Sequence, residues 1–311
     1  MSTRSRALAR SALALAAVAL LSTGAAQAQD RIRLGYGRLF VNDSLAQSED
    51  RWQTGGITAS RVWGYGFDGA LPGRAGDLLE LRTHGRAIAP ASLHRLDPDD
   101  RLYAGVLSAG LHTHFQRRGA EVALGGDLVF TGPRTGIDQV QTAVHDLMGI
   151  RPPSSEILDA QIGNGVHPTL VAEIGSTRAL GAAGRLRPFA ELRWGDETLA
   201  RAGLDLTLGG FGADALMVRE PVTGQRYEVI GAAEPGFSVV FGADIAQVAD
   251  SVYLPDDRGP DLRATRSRLR AGLHWQGQGR SLYYGLARLG REFKGQGEPQ
   301  LVGAARVSWE F

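Results

Sequence analysis

The chain has 311 residues, no cysteine and a net charge of +1, from 34 Lys and Arg against 33 Asp and Glu. The lack of cysteine excludes disulfide scaffolds and thiolate chemistry, and the near-neutral balance gives no electrostatic case for nucleic acid as a partner. Lys294 is the only lysine, so the positive charge is almost all arginine. A guanidinium fork suits phosphate groups, although biased codon usage would produce the same excess.

The first elements in the chain read as an export signal. Arg4, Arg6 and Arg10 precede an apolar run from Ala12 to Leu21, and Ala26-Gln27-Ala28 supplies the small residues of a cleavage site after Ala28. The mature chain is then 29–311. The run is shorter than the roughly 20 residues that a membrane-spanning helix needs. No later stretch approaches 18 or so consecutive apolar residues, which excludes a helical membrane protein.

From residue 31 onward the period is two. Apolar segments punctuated by Gly, Asp, Pro and Arg fall at 31–41, 54–66, 77–88, 101–116, 119–131, 164–177, 185–195, 199–210, 236–251, 263–276, 280–292 and 299–311. Thr265 to Trp275 places Arg266, Arg268 and Arg270 on one face, which predicts a wet face there. Ala120 to Phe130 and Leu301 to Phe311 alternate as cleanly. Long alternating strands in even number predict an all-β fold, a 12-stranded antiparallel transmembrane β-barrel. Both termini then lie at the periplasmic rim. The outer loops fall near 42–53, 89–100, 132–163, 196–198, 252–262 and 293–298, while the longer periplasmic connections include a Gly-rich 211–235.

The longest outer loop, 132–163, carries TGIDQVQTAVHDLMG. It has cap residues at its start, no proline, and a stop at Gly149, which predicts one short helix in a long extracellular loop. Val140, Val144, Leu147 and Met148 are the residues expected to seat it. Gln141 and His145, four apart, share a face. A pair of this kind is either a solvated polar face or part of a site. At the first outer loop, Asn42-Asp43 ends one strand and Thr54 opens the next. The dipeptide is ordinary turn chemistry, but carboxylate, amide and hydroxyl oxygens are also the ligands that calcium takes. A neutral His near such a site is able to act as general base on water, with the cation stabilising an ester oxyanion. There is no G-x-S-x-G and no His/Glu metal cluster; His112 and His114 alternate on one strand and are read as lining the barrel.

Asn42-Asp43, Asp50-Arg51 with Thr54-x-Gly56, Asp100-Arg101-x-Tyr103-Ala104-Gly105, Gly132-Pro133 and Gln139-Val140-Gln141-x₃-His145, with Gly149 and Ala160-Gln161-Ile162 behind, follow one another over residues 31–165. In that order and spacing the chain resembles the LpxR-type lipid A 3′-O-deacylases, calcium-dependent twelve-stranded outer-membrane barrels. The resemblance implies one active site at the extracellular side, between the barrel wall and the loop helix. In it His145 activates water, Gln141 orients water or substrate, and Asn42, Asp43 and Thr54 hold Ca2+. The implied partners are lipid A of lipopolysaccharide as substrate and the surrounding outer-membrane lipid, and the chain is read as a monomer. One position departs from the pattern: a member of the family carries a functional Glu six residues beyond its His, where this chain has Arg151. Either the acid comes from elsewhere, with Asp146 and Glu156 as the candidates, or the cation site is weakened. The alternative readings are a non-catalytic channel or structural barrel whose Arg-rich interior passes anions, and an outer-membrane phospholipase, which would pair its His with a Ser.

Overall fold

The computed structural model describes residues 30–47, 49–181, 184–231 and 235–309; the predicted signal segment 1–28 and the carboxy-terminal Phe311 lie outside these. The strands in chain order are β1 (Ile32–Asn42), β2 (Trp52–Gly64), β3 (Leu78–Ala89), β4 (Ala104–Arg117), β5 (Ala120–Thr131), β6 (Gly165–Gly175), β7 (Arg178–Leu180), β8 (Gly184–Trp194), β9 (Glu197–Leu208), β10 (Leu216–Arg219), β11 (Arg226–Ile230), β12 (Gly236–Ser251), β13 (Thr265–Gly277), β14 (Arg280–Leu289) and β15 (Gln300–Trp309). All but β7, β10 and β11 form the wall of a closed antiparallel barrel of twelve strands. β1 pairs with β15, and the circle is completed where Leu170–Gly175 of β6 meets Phe189–Trp194 of β8. Among the described residues no helix is long and apolar enough to cross a membrane.

Parity assigns the faces. On β1 Leu39 and Val41 are buried whereas Arg38 and Phe40 are exposed, so odd positions near its end point into the lumen. On β13 Leu269 and Leu273 are 54% and 59% exposed while Arg268 and Arg270 are buried. The arginines point inward, as a face that cannot meet lipid requires, and carboxylates neutralise them. Arg266 pairs with Glu197 at 2.8 Å, Arg268 with Asp244 at 3.0 Å, and Arg270 with Asp205 at 2.8 Å as well as with Asp244. His112 and His114 do line the lumen, bonded to Asp127 at 2.8 Å and Glu80 at 2.6 Å.

The Gly-rich connection 211–235 is more than a linker. Its β10–β11 hairpin folds back into the lumen and plugs it. Tyr227 lies 2.6 Å from the inward Ser60 hydroxyl, Tyr283 donates to Gln225 at 2.5 Å, and Arg219 reaches Glu173 and Asp205 on separate strands at 2.8 and 2.7 Å. β11 packs directly on β1 because Gly35 and Gly37 have no side chains there. A Cβ at either would stand 2.0 or 2.3 Å from the carbonyl oxygens of Val229 and Glu228. Leu39, Val62, Leu216, Val218 and Tyr227 join in the apolar cluster that results. The remaining lumenal cavity, ≈ 560 Å³, is lined by charged groups such as Arg187, Glu173 and Arg219 that already pair with one another.

Candidate active site

The rim opposite the chain ends carries the site, and parity places it on the outside of the wall. Asn42 shares the outward side of β1 with Phe40, and it pairs in register with Gly55, which pairs with Ala87. Between Gln53 and Gly55 the β2–β3 register slips by one residue. This bulge sends Gln53 inward, toward Glu292 and Arg86, and frees the extra residue, Thr54. Bulges of this kind re-aim a side chain at the edge of a barrel. Thr54 is 3% exposed and donates its hydroxyl hydrogen to Asp50.

Helix α1 (Ile137–Met148) and the short α2 (Ser155–Asp159) belong to the loop between β5 and β6 and cover the outer face of β3 and β4. Tyr103, Ala87, Ala89 and Leu93 form a buried cluster with Ile157, against which Ile137 packs. Gly105 permits the approach: a Cβ there would lie 2.5 Å from Thr135 Oγ1 and 3.0 Å from Ile137 Cβ. The helix is present over the predicted span, but the residues available to seat it against something apolar do not pack on the barrel. Val140, Val144, Leu147 and Met148 are all exposed, and the buried residue of α1 is His145. Polar groups of the adjoining loops, chiefly Asp50 and Tyr103, hold the Gln141/His145 face, so α1 lies on the barrel by its polar side.

Asp50 is the centre of those contacts. Its carboxylate accepts from Thr54, from the Gln141 amide at 3.2 Å to each oxygen, and lies 2.6 Å from His145 Nε2. The other ring nitrogen, Nδ1, is 3.1 Å from the carbonyl oxygen of Arg151. A carbonyl only accepts, so Nδ1 carries a hydrogen, and Nε2 is turned to the Asp50 carboxylate. Tyr103 donates to Gln141 Oε1 at 2.8 Å. Burial raises its phenol well above the usual range, so it stays a donor and fixes the Gln141 amide with its NH₂ toward Asp50.

Asp43 stands beside this cluster on the short 3-10 turn Asp43–Leu45. It is 1% exposed and accepts from the Arg51 backbone N–H at 2.9 Å. Burial, with a smaller repulsion from Asp50, raises its carboxyl to about 8 despite that hydrogen bond. Arg51 itself turns away, to Glu49 and Glu298. Asn42 caps the turn, its side-chain oxygen accepting from Ser44 N at 2.8 Å.

Of the five predicted residues, Thr54, Gln141 and His145 thus meet through one carboxylate. Asp43 faces it electrostatically, and Asn42 supports the turn that carries Asp43. Asp146 and Glu156 are exposed, and the acid against His145 is Asp50. Its signal in the sequence is its place in the Asp50-Arg51 block just before Thr54, with no role attached to it. Arg151 contributes its carbonyl to His145, and its side chain is exposed.

Among the described residues no three His, Asp or Glu converge as a metal-ligand group. The donors that do converge are oxygens: two neighbouring carboxylates, one of them buried without a cationic side-chain partner, and a hydroxyl. That chemistry fits a hard cation such as calcium, whose charge would reverse the penalty on Asp43. The arrangement as a whole offers a positioned imidazole, a carboxylate beside it and an oxygen-rich cradle, all on the lipid-facing side of a barrel.

No curated protein sequence matches the chain. Among solved structures, LpxR from Salmonella typhimurium superposes with a TM-score of 0.71 at 18% identity, over 89% of this chain and 100% of that one. The NanC porin, at 8% identity over 90% of this chain and 100% of its own, reaches a TM-score of only 0.40. The β domain of the Bordetella autotransporter Brka, at 12% identity over 91% of this chain and 100% of its own, reaches 0.41. The family model described as outer membrane protein LpxR matches residues 12–311, and the chain belongs to that family of outer-membrane barrels.

Proposed function

We propose that the chain is a calcium-dependent ester hydrolase that removes the 3′-linked acyl chain of lipid A in the outer leaflet of the outer membrane. LpxR membership gives the substrate class its support. The observation that carries the reading is His145, held through Nδ1 by Arg151 O and set 2.6 Å from Asp50 on the outside of the wall. A lipid ester reaches such a site sideways, from the membrane, without entering the plugged lumen. The rim that bears it has the longer loops, as the extracellular rim of an outer-membrane barrel does.

In this scheme a water enters between His145 Nε2 and Asp50, Nε2 takes a proton from it, the oxygen of that water attacks the ester carbonyl, and Asp50 stabilises the imidazolium. The same nitrogen then returns the proton to the departing sugar oxygen, leaving a free fatty acid and a hydroxyl. Gln141, oriented by Tyr103, positions the water or the substrate. Asp43, Asp50 and Thr54 would hold the calcium ion, with Asn42 supporting Asp43. Bound there, the ion supplies Lewis-acid stabilisation of negative charge on the ester oxygen.

The test is mass spectrometry of lipid A from cells expressing the gene, in calcium and in chelator. Loss of the 3′ acyloxyacyl mass that requires both calcium and His145 is the expected result, and unaltered lipid A at full expression would overturn the reading. Two observations weigh against the alternatives. The inward arginines of β13 are paired and the lumen is plugged, which disfavours an anion channel. His145 is held by the Asp50 carboxylate and the Arg151 carbonyl rather than by a Ser hydroxyl, which favours water over a serine nucleophile.

A further inference from the structure

Helix α1 is amphipathic with the sense reversed. Gln141 and His145 meet the wall. Asp138, Gln139, Thr142 and Asp146 form one flank, and Val140, Ala143, Val144 and Leu147 form the other, by the 3.6-residue period. The apolar flank is bare: Val140 is 60%, Val144 46% and Leu147 88% exposed, followed by Met148 at 63% and Ile150 at 45%. Scattered apolar residues on a surface need no explanation, but a contiguous set on one helix flank does.

We propose that this flank is a membrane contact, and that its occupant is the acyl-chain region of the leaflet surrounding the distal rim. Continuity with the lipid-facing wall carries the argument. Ile137, at the start of α1, packs over the outward positions Gly85 and Gly105. In the same register row as Gly85, and also outward, stand Leu107, Phe130 and Val166, exposed by 39%, 40% and 60%. The apolar band of the barrel therefore runs up to the foot of α1, and the apolar flank extends it. A helix with one polar and one apolar flank is suited to lie in a membrane interface. α1 thereby holds His145 at the level where acyl chains meet headgroups. The inference rests on barrel and helix geometry and does not depend on the hydrolase reading.

The chain lacks cysteine, so single-cysteine variants place a probe cleanly. Leu147→Cys and Val144→Cys on the apolar flank, Asp146→Cys on the acidic flank and Leu107→Cys on the wall are labelled with bimane. They are then reconstituted in phosphatidylcholine vesicles with or without brominated acyl chains. Heat-dependent electrophoretic mobility confirms that each barrel is folded. Probes at 144 and 147 are expected to be quenched severalfold by brominated chains, as at 107, and to be shielded from aqueous iodide, while the probe at 146 behaves oppositely. Iodide quenching without bromine quenching at both 144 and 147 would overturn the proposal. So would shielding that disappears when the protein is diluted in lipid, because that marks contact with a second copy.

Discussion

Glu292 and Asp43 are carboxylates at the same rim of the barrel, and burial is the strongest influence on each, yet they end far apart. Glu292 lies inside, where Arg101 and Arg266 outweigh burial and hold its carboxyl at about 2. Asp43 lies at the outer site, with a backbone N–H as partner and Asp50 as neighbour, and stands at about 8. The same contrast runs through the molecule. Lumenal carboxylates such as Asp244 and Glu173 are each held by more than one arginine, whereas Asp50 meets Thr54, Gln141 and His145. Charges closed by arginine hold the barrel and its plug together. Charges left without a cationic side chain are the ones available to a cation, a water or a substrate.

The comparison breaks first at His145. If the outer cluster is the reactive region, His145→Ala lowers the rate of lipid A deacylation by about 10³-fold, the range for loss of a general base. Heat-dependent mobility of the folded barrel stays unchanged. Asp50→Asn is expected to follow in the same direction, since it removes the carboxylate that faces Nε2. Full activity in His145→Ala would remove the outer site from the chemistry.

On the inner side the expected effect is on stability. Arg101→Leu takes from Glu292 its closest cation and leaves Arg266 at 3.5 Å. Removing one partner of a buried pair costs about 3 kcal/mol, read as a lower urea midpoint of the barrel in micelles. The rate per folded molecule at a permissive temperature changes little. A large loss of rate without loss of stability would erase the division between the two regions.

Asp43 connects protonation to the cation. Its carboxyl is raised to about 8, so below that pH a calcium ion must displace a proton. Apparent affinity then falls by about tenfold per pH unit below 8 and levels off above it. For the cation-free protein the sign for stability is the reverse. A carboxyl raised from 3.8 to about 8 favours the folded state most at acid pH, and that contribution is lost as the pH rises through about 8. Calcium titration calorimetry in detergent from pH 6 to pH 9 reads the first effect, and Asp43→Asn should flatten it. A pH-independent affinity in the wild-type protein would place the cation elsewhere.

Much of this arrangement was legible in the sequence, and the gaps have physical causes. The wall strands were readable because one face meets lipid and the other a charged lumen, which imposes a strict period of two. The plug was not: Leu216–Arg219 and Arg226–Ile230 are too short for a period to show, and their place in the lumen is set by contacts such as Arg219 with Glu173. Thr54, Gln141 and His145 were readable through strand ends and helix spacing. Asp50 was not assigned a role, because it lies outside any regular element and reaches the other three only once the bulge at Thr54 and helix α1 are in place. The seat of α1 was not legible either: its spacing calls for an apolar neighbour but does not show that polar contacts through Asp50 hold the helix on the barrel.

The smallest expected effect sharpens the comparison within the outer site itself. Tyr103 is 1% exposed and donates to Gln141 at 2.8 Å, and Gln141 in turn donates to Asp50. Tyr103→Phe keeps the ring in the cluster of Ala87, Ala89 and Ile157 and removes one hydrogen bond. That loss is about 1 kcal/mol, or roughly a fivefold drop in kcat/KM if the amide must be held for the reaction. Its urea midpoint should move far less than that of Arg101→Leu. The Gln141 amide would be free to flip, so Gln141→Glu, which lacks the NH₂ altogether and brings a charge beside Asp50, should lose more than Tyr103→Phe and gain more from added calcium. Equal losses in the two variants would mean that Tyr103 acts through packing and that the orientation of Gln141 is set by Asp50 alone.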